Sequence, residues 1–130
     1  MIVIDASVLT EVLLHTASAA PIRSRLYRPG ETLHAPHLLE VEVAHAVRRL
    51  VFNMEVDETR GRRALEELAL CPLRLYPHTQ LLPRIWQLRS NLSAYDATYI
   101  ALAEALDAPL LTRDERLARA PGHGARLEVV

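Results

Sequence analysis

Along this chain, short runs of aliphatic or β-branched residues alternate with stretches whose apolar positions recur at helical spacing. Ile2 to Ile4 is one such run, closed by Asp5, and reads as a buried strand whose C-terminal end presents a carboxylate. From Ala6 to about Leu14 the pattern is helical, and Ser18 to Tyr27 reads as a second short helix, cut off by Pro29 and Gly30. Thr32 to Ala35 is read as a brief strand. Pro36 then opens a long helix to about Asn53, in which Leu39, Val43, Ala46, Val47 and Leu50 share one face. Asp57 fits the N-cap of a helix to about Leu70, with Arg60, Arg62, Arg63, Glu66 and Glu67 on its solvent side and Pro72 at its end. Leu73 to Tyr76 is another short apolar run, Thr79 to Arg89 a further helix, and Ser93 an N-cap for Ala94 to Leu106. Pro109 to Thr112 reads as a buried strand followed closely by Asp114, which opens a short helix, and Arg126 to Val130 as a last strand. Strands alternating with helices predict an α/β fold, a parallel sheet with helices on both faces.

Composition narrows this frame. With 130 residues, half of them apolar, the chain suits one hydrophobic core, so residues 1–130 are expected to form a single domain. The net charge of −1 advertises no polyanionic partner, although every basic residue is arginine, the better bidentate partner of phosphate. Cys71 is the single cysteine, which excludes an intramolecular disulfide and a multi-cysteine metal cluster and fits a reducing, cytoplasmic setting. The opening residues have no basic leader, and no apolar run approaches the ~20 residues a membrane span needs.

The chemistry lies in the acids. In an open parallel sheet, sites form beyond the carboxyl ends of the strands, where Asp5 and Asp114 fall. Glu42 sits at the margin of the apolar face of its helix, whereas Glu40, about 200° away at ~100° per residue, points outward. Asp96 falls in the first turn of a helix whose next turns are apolar, where the dipole favours negative charge. Taken singly, Asp5 and Asp114 read as helix N-caps and Asp96 as a favourable charge at a helix start. Taken together, acids converging on one sheet end need neutralising, and an oxygen-only set points to magnesium or manganese. Such an ion activates water for hydrolysis without a side-chain nucleophile.

Three segments carry a family resemblance: "IVIDASVL" at the start, "APHLLEVEVAHAVRRL" in the middle and "SAYDATYIALAEALDAPLLTRDERLA" near the end. Through them the chain resembles, over nearly its whole length, the PIN-domain ribonucleases and among them the VapC toxins of bacterial toxin–antitoxin pairs. The resemblance implies a three-layer α/β/α sandwich with a central, mainly parallel sheet and a Mg²⁺- or Mn²⁺-dependent endoribonuclease activity. It implies that Asp5, Glu42, Asp96 and Asp114 form the metal cluster and that the hydroxyls of Ser7 and Thr112 support it. Implied too are products with a 5′-phosphate and a 3′-hydroxyl, a tRNA or ribosomal RNA substrate, a homodimer, and inhibition by a VapB-type antitoxin. Two positions depart from the family pattern. His45, one turn from Glu42, reads as a rim histidine, and Asp107 replaces a helix-ending glycine and carries no assigned function.

For contacts to RNA phosphates the sequence offers Arg23, Arg25 and Arg28, Arg48 and Arg49, and Arg113, the last favoured by its place beside Asp114. Competing readings are few. An aspartyl-phosphate phosphatase needs a second acid where Ser7 stands, and a phosphoacceptor receiver domain needs a lysine, which the chain lacks. The remaining alternative, a PIN-like binding module without catalysis, is opposed by acids at all four positions.

Overall fold

The computed structural model describes residues 1–130. Five strands form one sheet: β1 (Ile2–Ile4), β2 (Leu33–Pro36), β3 (Leu73–Tyr76), β4 (Leu110–Thr112) and β5 (Leu127–Val129). Their order is β3-β2-β1-β4-β5 and every neighbouring pair is parallel. The central strand β1 is wholly buried, as its three consecutive aliphatic residues require when helices cover both faces.

The helices are α1 (Ala6–Leu13), α2 (Ala19–Leu26), α3 (Leu38–Phe52), α4 (Glu58–Leu70), α5 (Leu82–Gln87), α6 (Ala94–Leu106) and α7 (Glu115–Arg119). Helices α1, α3 and α4 pack on one another, with α1 touching β4 and α3 touching β2. Helix α6 runs against β1, β2 and β4 and carries α5 with it, completing the sandwich. The apolar interior is continuous, from Ile4, Leu110 and Leu111 on the strands to Val8, Leu39, Val43 and Ile100 on the helices. Gly61 lets α4 approach α3 closely, since a Cβ there would lie 2.9 Å from the Val51 side chain and 3.2 Å from that of Val47.

Two predicted elements differ in extent. Pro36 ends β2, paired with Tyr76, and does not open the helix, which begins at Leu38. Proline suits a strand end as well as a helix start, because both positions dispense with its missing N–H. The helix expected over Thr79 to Arg89 is a 3-10 turn, Thr79–Leu81, followed by α5, with Pro83 in the first turn of α5. Proline cannot donate to a preceding turn, so the helix restarts around it.

From β1 the chain builds outward through β2 to β3, then returns through α6 to place β4 on the other side of β1. The order therefore reverses between β1 and β4, and in open α/β sheets the crevice beyond such a reversal is where ligands bind.

Candidate active site

Beyond the carboxyl ends of β1 and β4 lies an open cleft of about 780 Å³, lined by Asp5, Glu42, Asp96 and Asp114 together with Glu11. The four acids singled out from the sequence therefore share one cavity, although they come from three helix starts and the middle of one helix turn pattern. Glu40, three positions from Val43 on the same helix, faces solvent.

Asp5 is the most enclosed acid, 7% exposed. Its Oδ1 caps α1 by accepting from the Val8 amide at 3.1 Å and accepts the Ser7 hydroxyl at 2.6 Å. Its Oδ2 accepts the hydroxyl of Thr112, which is itself fully buried at the end of β4. Thr112 Oγ1 in turn accepts the Asp114 amide at 3.0 Å, and Ser7 Oγ accepts the Arg113 amide at 3.1 Å. The two hydroxyls thus tie the end of β4 to the acid at the end of β1. Burial nevertheless pushes the Asp5 carboxyl above its usual range, against the hydrogen bonds that favour its charge.

Glu42 accepts the Tyr99 hydroxyl at 2.5 Å on Oε2. Half-burial raises its proton affinity, the Tyr99 bond opposes this, and the negative charges of Asp96 and Asp5 add to it. Tyr99 is 2% exposed, and its phenol is held far above its ordinary value by burial and by the Glu42 carboxylate. Sequence reading passed over Tyr99, because a tyrosine at an apolar helix position reads as core. Its one available signal was its place one turn after Asp96.

Asp96 enters the cleft from the first turn of α6, where Ser93 Oγ caps the helix by accepting the Asp96 amide at 3.1 Å. Its carboxylate has no hydrogen-bonded or ion-paired partner. Asp114 caps α7, accepting from the amides of Arg116 at 2.8 Å and Leu117 at 3.4 Å. Burial pushes its carboxyl up, but the Arg116 side chain and these amides outweigh it and hold it below the ordinary aspartate value.

The cleft's charges balance unevenly. Arg113 pairs with Glu11 and Arg116 with Asp114, which leaves Asp5, Glu42 and Asp96 without a cation. No three acids or histidines stand close enough to form a ready-made metal cage. Uncompensated carboxylates repel one another, and here Asp5 and Glu42 are held by protein donors while Asp96 is not. An all-oxygen donor set with three unpaired negative charges is nonetheless the chemistry that a hard divalent cation satisfies.

His45 and Arg49 also line the cleft, on the stripe of α3 that carries Glu42, and both are exposed. Among the other arginines considered from the sequence, Arg25 is engaged by Glu128 and Glu31, Arg23 by His15, and Arg48 lies over the Phe52 ring. Asp107 ends α6 in the left-handed conformation, at φ 46°.

Residues 2–123 match the family model described as PIN domain. Ribonuclease VapC1 of Mycobacterium tuberculosis is 43% identical over 129 residues, covering 98% of this chain and 96% of that protein. Ribonuclease VapC12 of the same species is 40% identical over 130 residues, covering 100% and 99%. Among solved structures, VapBC2 from Rickettsia felis bound to a DNA fragment from their promoter aligns with a TM-score of 0.71 at 16% identity, covering 99% of this chain and 98% of that one.

Proposed function

Because the chain belongs to the PIN-domain family, and to the VapC ribonucleases within it, we propose that its acidic cleft is the active site of a metal-dependent endoribonuclease toxin. The observation that carries this reading is the meeting of Asp5, Glu42, Asp96 and Asp114 in one cleft at the reversal of strand order, with three of them lacking any cation.

In this reading the four carboxylates hold magnesium or manganese, which suits oxygen-only ligands. When bound, such an ion supplies Lewis acidity toward water and phosphate at neutral pH. The chain's own residues do the positioning. Ser7, Thr112 and the Val8 amide fix both oxygens of Asp5, so the most buried acid has one orientation. Tyr99 fixes Oε2 of Glu42 and leaves Oε1 without a hydrogen-bond partner. The unpartnered Asp96 carboxylate is free to accept a hydrogen bond from an incoming water. Hydrolysis forms a bond from the water oxygen to phosphorus and breaks the bond to the 3′-oxygen. The departing oxygen takes up a proton, leaving a 5′-phosphate and a 3′-hydroxyl.

From membership of this family we infer further that a VapB-type antitoxin is its partner, that the working form is a homodimer, and that tRNA or ribosomal RNA in the cytoplasm is the target class. No helix is long and apolar enough to cross a membrane.

Purified protein is expected to cleave RNA with magnesium or manganese and not in EDTA. Asp5→Asn and Asp96→Asn should each lower cleavage by ~100-fold or more with an unchanged circular dichroism spectrum. Undiminished cleavage in both variants would overturn the assignment. Tight antitoxin binding without cleavage under any metal condition would favour a binding module instead.

A further inference from the structure

A chain with a net charge of −1, whose active cleft is lined by acids, must still attract a polyanion. Its cleft cations are unequal in their freedom to do so. Arg113, beside Asp114, has its guanidinium taken by Glu11, while Arg116, outside the cleft lining, pairs with Asp114. The Arg49 guanidinium makes no ion pair and no hydrogen bond, although it is exposed in a cleft lined by carboxylates.

Its position on α3 gives that freedom a direction. Arg49 follows Glu42 by seven residues, two helical turns, and so projects from the same face about 10.5 Å further along the axis. That offsets Arg49 along α3 from Glu42, toward where a phosphate next to the cleaved one would run. Tyr95 stands beside Asp96 in the first turn of α6 and lines the same cleft. It is 62% exposed, and its hydroxyl has no hydrogen-bond partner. A large aromatic face left open to solvent next to a nuclease centre has the form of a stacking platform, which an unpaired base can reach and a base inside a duplex cannot.

Resting on the ribonuclease reading above, we propose that Arg49 and Tyr95 form the substrate subsite. Arg49 binds a flanking phosphate and Tyr95 stacks on a base, so the enzyme selects unpaired RNA. Arg113 is then a structural cation that neutralises Glu11.

Binding is read in EDTA, without turnover, as fluorescence anisotropy of a labelled, unstructured 12-nucleotide RNA and of the same strand in a duplex. The single strand is expected to bind the more tightly. Arg49→Ala should weaken it about tenfold and reduce the slope of log affinity against log salt by about 0.7, the share of one phosphate contact, while Arg49→Lys keeps the slope. Tyr95→Ala should weaken binding by about 5- to 150-fold and Tyr95→Phe should not. Arg63→Ala, at an exposed arginine on α4 outside the cleft, should leave both quantities unchanged. Unaltered affinity in Arg49→Ala or in Tyr95→Ala, equal binding of the duplex, or no binding of the single strand by the unmodified protein would overturn the subsite. Cleavage of the same RNA with manganese separates the two readings. An intact protein that binds through Arg49 and Tyr95 but never cleaves sinks the nuclease and keeps the subsite, and cleavage indifferent to both residues does the reverse.

Discussion

At the scale of single residues, Asp5 performs two tasks that sequence reading treats as alternatives. It caps α1 through the Val8 amide, and the same carboxylate lines the cleft beside Glu42. The ionised form is disfavoured by burial, so at neutral pH the charge costs the fold stability, and a group whose native pKa is raised gives back that cost only when neutral. Asp5→Asn keeps an acceptor for Val8 and Ser7 and can donate to Thr112. It is therefore expected to raise the melting temperature, by about 0.5–2 kcal/mol of stability, as its cleavage disappears. A lower melting temperature would mean that the hydrogen bonds outweigh burial. Tyr99 is a positioning residue, since its hydroxyl is committed to Glu42 and it acts through that carboxylate. Tyr99→Phe should weaken manganese binding, measured by calorimetry, by roughly 10–100-fold while the fold and RNA affinity in EDTA stay as they were. Unchanged metal affinity would reduce Tyr99 to a core residue. The four acids were legible because strand ends and helical phase depend on local pattern. Tyr99's bond to Glu42 and Arg113's pairing with Glu11 were not, because they join residues 57 and 102 positions apart, which no periodicity encodes.

At the scale of elements, the helix that carries Asp96 and Tyr99 is built with one sound end and one strained end. Ser93 caps the start of α6, but Asp107 ends it in the left-handed region, where a side chain is disfavoured and glycine is at ease. An acid there also opposes the negative end of the helix dipole. Its pairing with Arg126, at 3.5 Å and almost fully exposed, offsets little of this. Asp107→Gly is accordingly expected to stabilise the protein by about 1 kcal/mol in urea denaturation, with cleavage unaffected, and a destabilised variant would refute the strain. Most elements were readable in this way, from caps and apolar spacing. Asp57 and Ser93 accept from backbone amides three residues on, Arg60 and Asp96, as N-caps should. The extents failed where proline stood: Pro36 fits a strand end as well as a helix start, and Pro83, lacking an N–H, makes the helix restart around it. Strand order was not legible either. A run such as Leu110–Thr112 shows that it is buried on both faces but not which neighbour it takes, and the reversal at β1 and β4 that creates the cleft follows from the path of α6.

At the scale of the whole molecule, the edge strand β5 and the loop before it are fastened by two arginine clamps that approach from different helices. Arg25 on α2 grips Glu128 of β5 with two hydrogen bonds, 2.6 and 2.9 Å, and Glu31 with a third of 2.9 Å, while the N-terminal ammonium binds Glu31 as well. Arg84 on α5 holds Glu104 of α6 at 2.7 and 3.0 Å and the Gly122 carbonyl at 3.1 Å, and Glu104 accepts the Gly124 amide at 2.8 Å. Each carboxyl is held below its ordinary value of 4.5: Glu31 chiefly by the terminal ammonium, Glu128 by Arg25 and Glu104 by Arg84. A depressed native pKa contributes stability that is complete above the unfolded value and is lost as pH falls through the folded one. Both clamps should therefore loosen together below about pH 4.5, whereas the apolar packing of β1, Val8 and Ile100 has no such dependence. Because β5 lies at the sheet edge, its release exposes little core, so residues 122–129 are expected to open before the rest. Hydrogen exchange corrected for its intrinsic pH dependence should show protection there falling about tenfold between pH 5 and pH 3.5 while β1 and α6 keep theirs. Glu128→Gln, which removes one titrating group, should flatten that fall. Simultaneous loss across the sheet would instead make β5 part of one cooperative unit with the cleft.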